Sequence, residues 1–269
     1  MGILNVTPDS FSDGNQFFDG DAAFSQAETM VADGVDIIDI GGESTRPGAA
    51  IVTVEEEIRR VVPLIRRVSR LGVKVSVDTS KPEVMLAAAE SGVSMINDVR
   101  ALKLPGAMQA AHKSGLPVCL MHMQGKPATM QREPRYDNVL SQVLDYLASR
   151  VEACVSAGIT RSKLSVDPGF GFGKTRQHNI ELLDNLNYFK QLELPLLVGL
   201  SRKSLIGEIT GRPVDERLAG SLAVALIAMQ QGASIVRVHD VKETVDVKKV
   251  FTAMQKKINA YNLGDGNVR

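Results

Sequence analysis

The sequence predicts an α/β fold, a TIM (β/α)8 barrel in a single domain spanning residues 1–269. Three observations carry this expectation. Eight short apolar runs recur along the chain, which is the number of strands such a barrel needs. Amphipathic stretches of helical period separate them. The connections are also unequal: short from helix to strand, and mostly longer from strand to helix. A doubly wound open sheet is the alternative that the same alternation permits.

The runs are "GILNV" (2–6), "DIIDI" (36–40), "VKVSV" (73–77), "SMIND" (94–98), "PVCLM" (117–121), "KLSVD" (163–167), "PLLVG" (195–199) and "SIVRV" (234–238). They are rich in Val, Ile and Leu, as expected of parallel strands buried on both faces. Between them, "AAFSQAETMVADG", "VEEEIRRVVPLIRRV" and "ERLAGSLAVALIAMQQG" have helical spacing. In the last, Leu218, Leu222, Ala225 and Leu226 fall on one face. "SKPE" (80–83) reads as a capping box with proline in the first turn. Gly34, Gly92, Gly115, Gly158 and Gly232 sit where helices should stop. The long strand-to-helix connections, at roughly 7–20, 41–53, 122–137, 168–177 and 200–214, belong at the C-terminal face, where barrel active sites lie.

Composition narrows the function classes. The 31 basic and 31 acidic residues cancel, leaving no electrostatic footprint for nucleic acid and no polybasic membrane patch. Aromatics make up 4% and tryptophan is absent, which argues against base-stacking platforms. Cys119 and Cys154 are far apart and lack metal-ligand spacing, as expected of a reduced, cytoplasmic protein. "MGILNVTPDS" has neither a signal-peptide pattern nor a myristoylation pattern. The expected partners are therefore small molecules, not nucleic acid or membrane.

"KLSVDPGFGFGKT" (163–175) has the look of a phosphate-binding loop, with Gly173-Lys174-Thr175 at its end. That pattern needs a glycine at position 168, where proline stands. The dinucleotide pattern fails as well, because the glycines alternate. The stretch reads better as a strand ending in Asp167, with glycines turning the chain away. Asp167 acting only as a helix cap fits poorly with Pro168 and the three glycines that follow.

Polar residues stand at almost every strand end: Asn5, the "GGESTRPG" segment, Asp78-Thr79-Ser80, Asn97-Asp98, His122, Asp167, "SRKS" (201–204), and Arg237 with His239-Asp240. Their convergence on one ring implies a polar pocket, because such groups are costly to bury alone. Asp78, Asn97 and Asp167 suit a flat heterocycle with several N–H donors. Arg46, Arg202, Lys203, Arg237 and His239 suit an anion, most simply phosphate. The spacing of Arg237 and His239 puts both on the same side of the last strand.

Taken together, "MGILNVTPDSFSDG", "GGESTRPGA", "VDTSKP", "INDV", "DPGFGFGK", "SRKS" and "RVHD" resemble the dihydropteroate synthase family of pterin-binding barrels, from residue 2 to about residue 245. The resemblance implies condensation of 6-hydroxymethyl-7,8-dihydropterin diphosphate with 4-aminobenzoate, with Mg²⁺, in a homodimer that sulfonamides target. It implies that Asp78, Asn97, Asp167 and Lys203 hold the pterin, and that Asn5 is the Mg²⁺ ligand. It places Arg237, His239 and Thr45 at the diphosphate, and Pro47, Phe172 and Ser204 at the aminobenzoate. Asp9, Arg46 and Lys203 are the catalytic candidates, the first two on loops that order over bound substrate.

From the residues alone, Phe172, Met121 and Met123 are equally compatible with core packing. Family members generally carry a short segment ahead of the first strand. Here the sequence opens on that strand, so either that segment is missing from it or the barrel bottom closes differently. A methyltetrahydrofolate methyltransferase would share the pterin ring but would not need "SRKS" and "RVHD" as an anion clamp. A non-catalytic pterin-binding paralogue would not need Asn5, Asp9, Arg46 and Lys203 together.

Overall fold

The computed structural model describes residues 1–6, 16–44, 51–125 and 129–264. Eight parallel strands follow one another round a ring: β1 (Gly2–Asn5), β2 (Ile37–Gly41), β3 (Lys74–Asp78), β4 (Met95–Asp98), β5 (Val118–Met121), β6 (Leu164–Asp167), β7 (Leu197–Val198) and β8 (Ile235–Val236). Each lies within a residue or two of the apolar run that predicts it. A continuous ladder joins β1 through β6, and β7 pairs with β8. Single parallel bridges, Val166 with Leu196 and Gly2 with Val238, join the two pieces at both seams. Strand order follows chain order throughout, as in a barrel and unlike the doubly wound alternative.

The helices among the described residues are α1 (Gln16–Ala32), α2 (Val54–Val68), α3 (Pro82–Ala89), α4 (Ala107–Ser114), α5 (Val139–Ser156), α6 (Arg176–Asp184), α7 (Ser204–Thr210), α8 (Leu218–Gln231) and α9 (Val241–Gly264). Local chemistry sets their ends. Thr53 caps α2 by accepting from the Glu56 N–H, and acidic residues fill the first turn while Arg66 and Arg67 occupy the last. The five glycines expected to end helices all take positive φ.

Two local expectations change. The capping box at "SKPE" does not form. The N-cap of α3 is Lys81, with Pro82 first in the helix and no side-chain cap bond. The Ser80 hydroxyl instead donates to Asp98, a longer-range partner that pattern reading cannot see. On α8 the buried stripe is Ser221, Val224, Ala225, Ala228 and Met229. Small residues on that face let the helix approach the barrel closely. Leu218, Leu222 and Leu226 are left half-buried on its flank.

Two hydrophobic regions result. A large core lies between strands and helices, and includes Ile38, Ile40, Val75, Val77, Ile96, Leu120 and Val166 on the outward faces of the strands. A much smaller plug of Met1, Met95, Cys119 and Leu197, with Ile37 and Ile235 against it, fills the other face. Strand alternation puts the plug inside the barrel. Two residues further along each strand stand Ile3, Asp39, Asn97, Met121, Gly199 and Arg237. The barrel interior thus gains an acid, an amide and a guanidinium within one pleat.

Candidate active site

The polar layer is tightly connected. Arg237 Nε donates to Asp39 Oδ2 at 2.6 Å, and its Nη2 donates to Asp78 Oδ2 at 2.8 Å. The Asn97 Nδ2 donates to the same Asp39 oxygen at 3.0 Å. Side chains from β2, β3, β4 and β8 therefore meet in one cluster. Burial pushes the Asp78 carboxyl up to about 7, with Arg237 opposing and Asp39 reinforcing the rise. Burial also works against the Arg237 charge, but Asp39 and Asp78 outweigh it and hold the guanidinium firmly protonated.

A glycine lies on either side of this cluster. A Cβ on Gly41 would lie 3.4 Å from Asn5 Oδ1 and 3.5 Å from the Asp78 Cβ, so these side chains converge over its bare backbone. A Cβ on Gly199 would lie 3.8 Å from the Arg237 Cβ and 4.0 Å from Lys203 Nζ. Arg237 and Lys203 thus both lie beside Gly199.

Asp167 ends β6 as predicted. Its Oδ1 accepts from the Gly169 N–H at 2.7 Å, which begins the turn and leaves Oδ2 for other partners. Burial raises its pKa, against the pull of Lys203. The glycines that follow are required by packing: a Cβ on Gly169 would overlap the His122 carbonyl, and one on Gly173 would crowd the Gln124 carbonyl.

Lys174 is buried, and its Nζ meets His122 Nδ1 at 2.8 Å, the Gly169 carbonyl at 2.9 Å and the Phe172 carbonyl at 3.1 Å. It is a strut that ties the loop to the end of β5. This agrees with the reading that it is no phosphate-loop lysine. His122, desolvated and beside that ammonium, is pushed down to about 2 and stays neutral.

Lys203 donates to the Phe170 carbonyl, and its ammonium stands 4.8 Å from the centre of the Phe172 ring. Burial lowers its pKa to about 8 despite the attraction of Asp167. Phe170 is the buried aromatic of this loop and Phe172 is half-buried, so core packing does not account for Phe172. Ser204 is exposed at the first position of α7. Met121 is buried and Met123 half-buried.

Side-chain ties join the "SRKS" turn to the end of β8. The Ser201 hydroxyl accepts from the His239 N–H at 3.1 Å and also meets His239 Nδ1 at 3.1 Å. Arg202, grouped from the sequence with the cations facing an anion, pairs through two nitrogens with Asp240. It takes φ of 57°, left-handed for a residue that is not glycine. Ser221 and Arg217 brace its backbone. Asp98, at the end of β4, is used up by Ser80 and by the backbone of Arg100 and Leu102.

Asp9, Thr45, Arg46 and Pro47 lie outside the described residues. The entry to the second of these loops is anchored by Lys81, which bridges Glu43 and the buried Glu57. Sequence reasoning missed Asp39, the hub of the polar layer. It sits inside "DIIDI", and the available signal was a carboxylate in mid-strand among isoleucines.

A charged layer at the C-terminal end of a parallel barrel, above an apolar plug, defines a (β/α)8 enzyme of the kind that binds a flat polar heterocycle. Comparison with known proteins specifies it. A family model described as pterin binding enzyme matches residues 1–239. The dihydropteroate synthase of Escherichia coli K12 is 55% identical over 254 residues, covering 94% of this chain and 90% of that one. A crystal structure of Yersinia pestis dihydropteroate synthase with a sulfonamide drug complex superposes with a TM-score of 0.91 at 51% identity, covering 95% of this chain and 94% of that one. That of Xanthomonas albilineans dihydropteroate synthase in complex with 7,8-dihydropteroate gives 0.87 at 47% identity, with 95% and 92% covered. The chain belongs to the pterin-binding enzyme family, and within it to the dihydropteroate synthases. Its chemistry is that of a transferase, joining a pterinylmethyl group to an arylamine.

Proposed function

We propose that this ring carries out dihydropteroate synthesis by a dissociative path, with each strand end assigned to one part of the substrates. The observation that carries the proposal is the polar layer itself, in which the carboxylates of Asp39 and Asp78 and the Asn97 amide meet the Arg237 guanidinium. Asp78, Asn97, Asp167 and Lys203 bind the pterin, the carboxylates accepting from its amino and ring N–H groups. Arg237, His239 and Thr45 bind the diphosphate. Pro47, Phe172 and Ser204 receive 4-aminobenzoate, with Phe172 lying against its ring.

The C–O bond at the pterin methylene breaks and its electron pair leaves on the diphosphate. Arg237, His239 and Arg46 are assigned to stabilising that charge. The dihydropterin delocalises the cation left behind. The amine nitrogen then forms the new C–N bond and releases a proton, which Asp9 accepts.

Among the described residues no cluster of three His, Cys, Asp or Glu side chains is poised for a metal. The residues present fit Mg²⁺ only as an ion carried largely by the diphosphate, with Asn5 Oδ1 offering one hard oxygen beside Asp78 over Gly41. Bound there, Mg²⁺ would neutralise charge on the leaving group.

Homodimer formation is supported by exposed apolar residues on and between the last helices: Ile209, Val214, Ile227, Val250 and Met254. A cytoplasmic location is supported by two buried free cysteines. No helix among the described residues is long and apolar enough to cross a membrane.

The test is pyrophosphate release from 6-hydroxymethyl-7,8-dihydropterin diphosphate, with and without 4-aminobenzoate, in Mg²⁺ and in EDTA. Release that needs both 4-aminobenzoate and Mg²⁺ is expected. Pterin binding without release overturns the catalytic assignment, and release unaffected by EDTA overturns the Mg²⁺ role.

A further inference from the structure

We propose that Asp39 is a positioning residue for the pterin site, fixing the Arg237 guanidinium and the Asn97 carboxamide from below so that both present to the ligand. The inference rests on the reading of the ring as a pterin site.

Four observations support it. Asp39 is fully buried in the middle of β2, in register with Ile3 on one side and Ser76 on the other. One of its oxygens, Oδ2, accepts from both Arg237 Nε and Asn97 Nδ2. Its other oxygen, Oδ1, is buried without a hydrogen-bond partner, as is the neighbouring Ser76 hydroxyl. The residues below it on the same strand faces, Ile37, Met95 and Ile235, are apolar and make no use of a charge.

A buried carboxylate with a bare oxygen is a costly way to fill a barrel. An apolar residue at position 39 would extend the plug without that cost, and Asp78 alone would still pair with Arg237. What Asp39 adds is geometry. Arg237 is gripped at Nε from β2 and at Nη2 from β3, so its plane is defined at two points. Asn97 is fixed by the same oxygen. Its amide is therefore held in one sense, with Nδ2 toward Asp39 and the carbonyl oxygen directed elsewhere. An Asn whose amide orientation is set in advance offers a ligand a defined donor and acceptor pattern.

The proposal predicts a specific coupling. Asp39→Asn keeps an acceptor oxygen and loses the charge, whereas Asp39→Ala loses both. Affinity for 6-hydroxymethyl-7,8-dihydropterin diphosphate, measured by calorimetry without turnover, is expected to fall in that order, roughly tenfold for Asn and roughly 100-fold for Ala. KM for 4-aminobenzoate stays within about twofold, because Asp39 reaches neither Phe172 nor Ser204. In an Arg237→Met background, Asp39→Asn should lose clearly less pterin affinity than in the parent, since only Asn97 is left for position 39 to hold.

Equal losses in both backgrounds would show that Asp39 acts independently of Arg237 and overturn the proposal. Unchanged affinity in a folded Asp39→Asn protein would do the same. If Asp39→Ala fails to fold, the Asp39→Asn cycle decides alone, since Arg237 keeps Asp78 as its counter-charge in that variant. The synthase reading fails separately, by absence of pyrophosphate release in the unsubstituted protein, whereas this cycle reads binding only.

Discussion

The two parts of the barrel are built differently. From β1 to β6, strands of four or five residues form a continuous ladder, and backbone hydrogen bonds place Asn5, Asp78, Asn97 and Asp167. In β7 and β8 the regular ladder is only two residues long, and single bridges connect the pair to its neighbours. Yet this thin part supplies the basic side chains Lys203, Arg237 and His239. Side chains do there what the ladder does elsewhere: Ser201 ties His239, Asp240 ties Arg202, and Asp39 with Asp78 ties Arg237. Acceptors are held by the sheet, Arg237 and His239 by other side chains, and Lys203 by the Phe170 carbonyl. Substitutions in the second part should therefore disturb function with less loss of fold.

The largest effect should come from Arg237→Ala. It removes the cation proposed to meet the diphosphate and leaves Asp39 and Asp78 without their shared counter-charge. Turnover is expected to fall by about 10²–10³, with circular dichroism unchanged. Near-normal turnover would show that the thin part does not carry the anion chemistry.

Next is Asp167→Asn, on the ladder side. The amide presents an N–H where a carboxylate accepts, so the dissociation constant for the dihydropterin diphosphate should rise roughly 10- to 100-fold. Calorimetry giving an unchanged constant would remove Asp167 from the pterin contacts.

Arg202→Ala tests the side-chain ties themselves. Asp240 loses its partner, while alanine keeps the left-handed strain of about 1 kcal/mol that Arg202 already bears. Lys203, the next residue, should shift, lowering kcat/KM roughly tenfold. Arg202→Gly relieves the backbone and should recover part of that loss. If both variants behave like the parent, the Arg202–Asp240 tie is dispensable.

The smallest effect is on stability. The folded pKa of Lys203 is lowered to about 8 from its ordinary 10.5. Between those values the unfolded chain binds more protons than the native one, so stability rises with pH across that window. Below pH 8 the full penalty of a buried ammonium is present. Lys203→Met should therefore raise Tm by roughly 2–4 °C at pH 7, with the gain closing toward pH 10.5. A gain independent of pH would mean that better packing, not charge, is the cause.

The strand order and the identity of most strand-end residues were legible because both rest on local signals. A continuous apolar run marks each buried strand, and a polar residue marks where it leaves the core. The features that escaped depend on partners far away in the chain. Ser80 looks like a helix cap until Asp98 is seen beside it. Arg202 looks like an anion ligand until Asp240, 38 residues later, is found against it. Asp39 was hidden because the run around it reads as ordinary strand, and its partner Arg237 lies 198 residues away. Alternation identifies which side of a strand a residue faces, but not what meets it there.

The packing of Gly169 against the His122 carbonyl has a consequence for how this enzyme can vary. In a saturation library, positions 169 and 173 should tolerate no side chain at all, because the obstruction at each is a carbonyl oxygen of another strand's loop. Between the two fixed glycines, Phe170 is buried and Phe172 is half-exposed, so Phe172 is the side chain best placed to vary without moving this backbone.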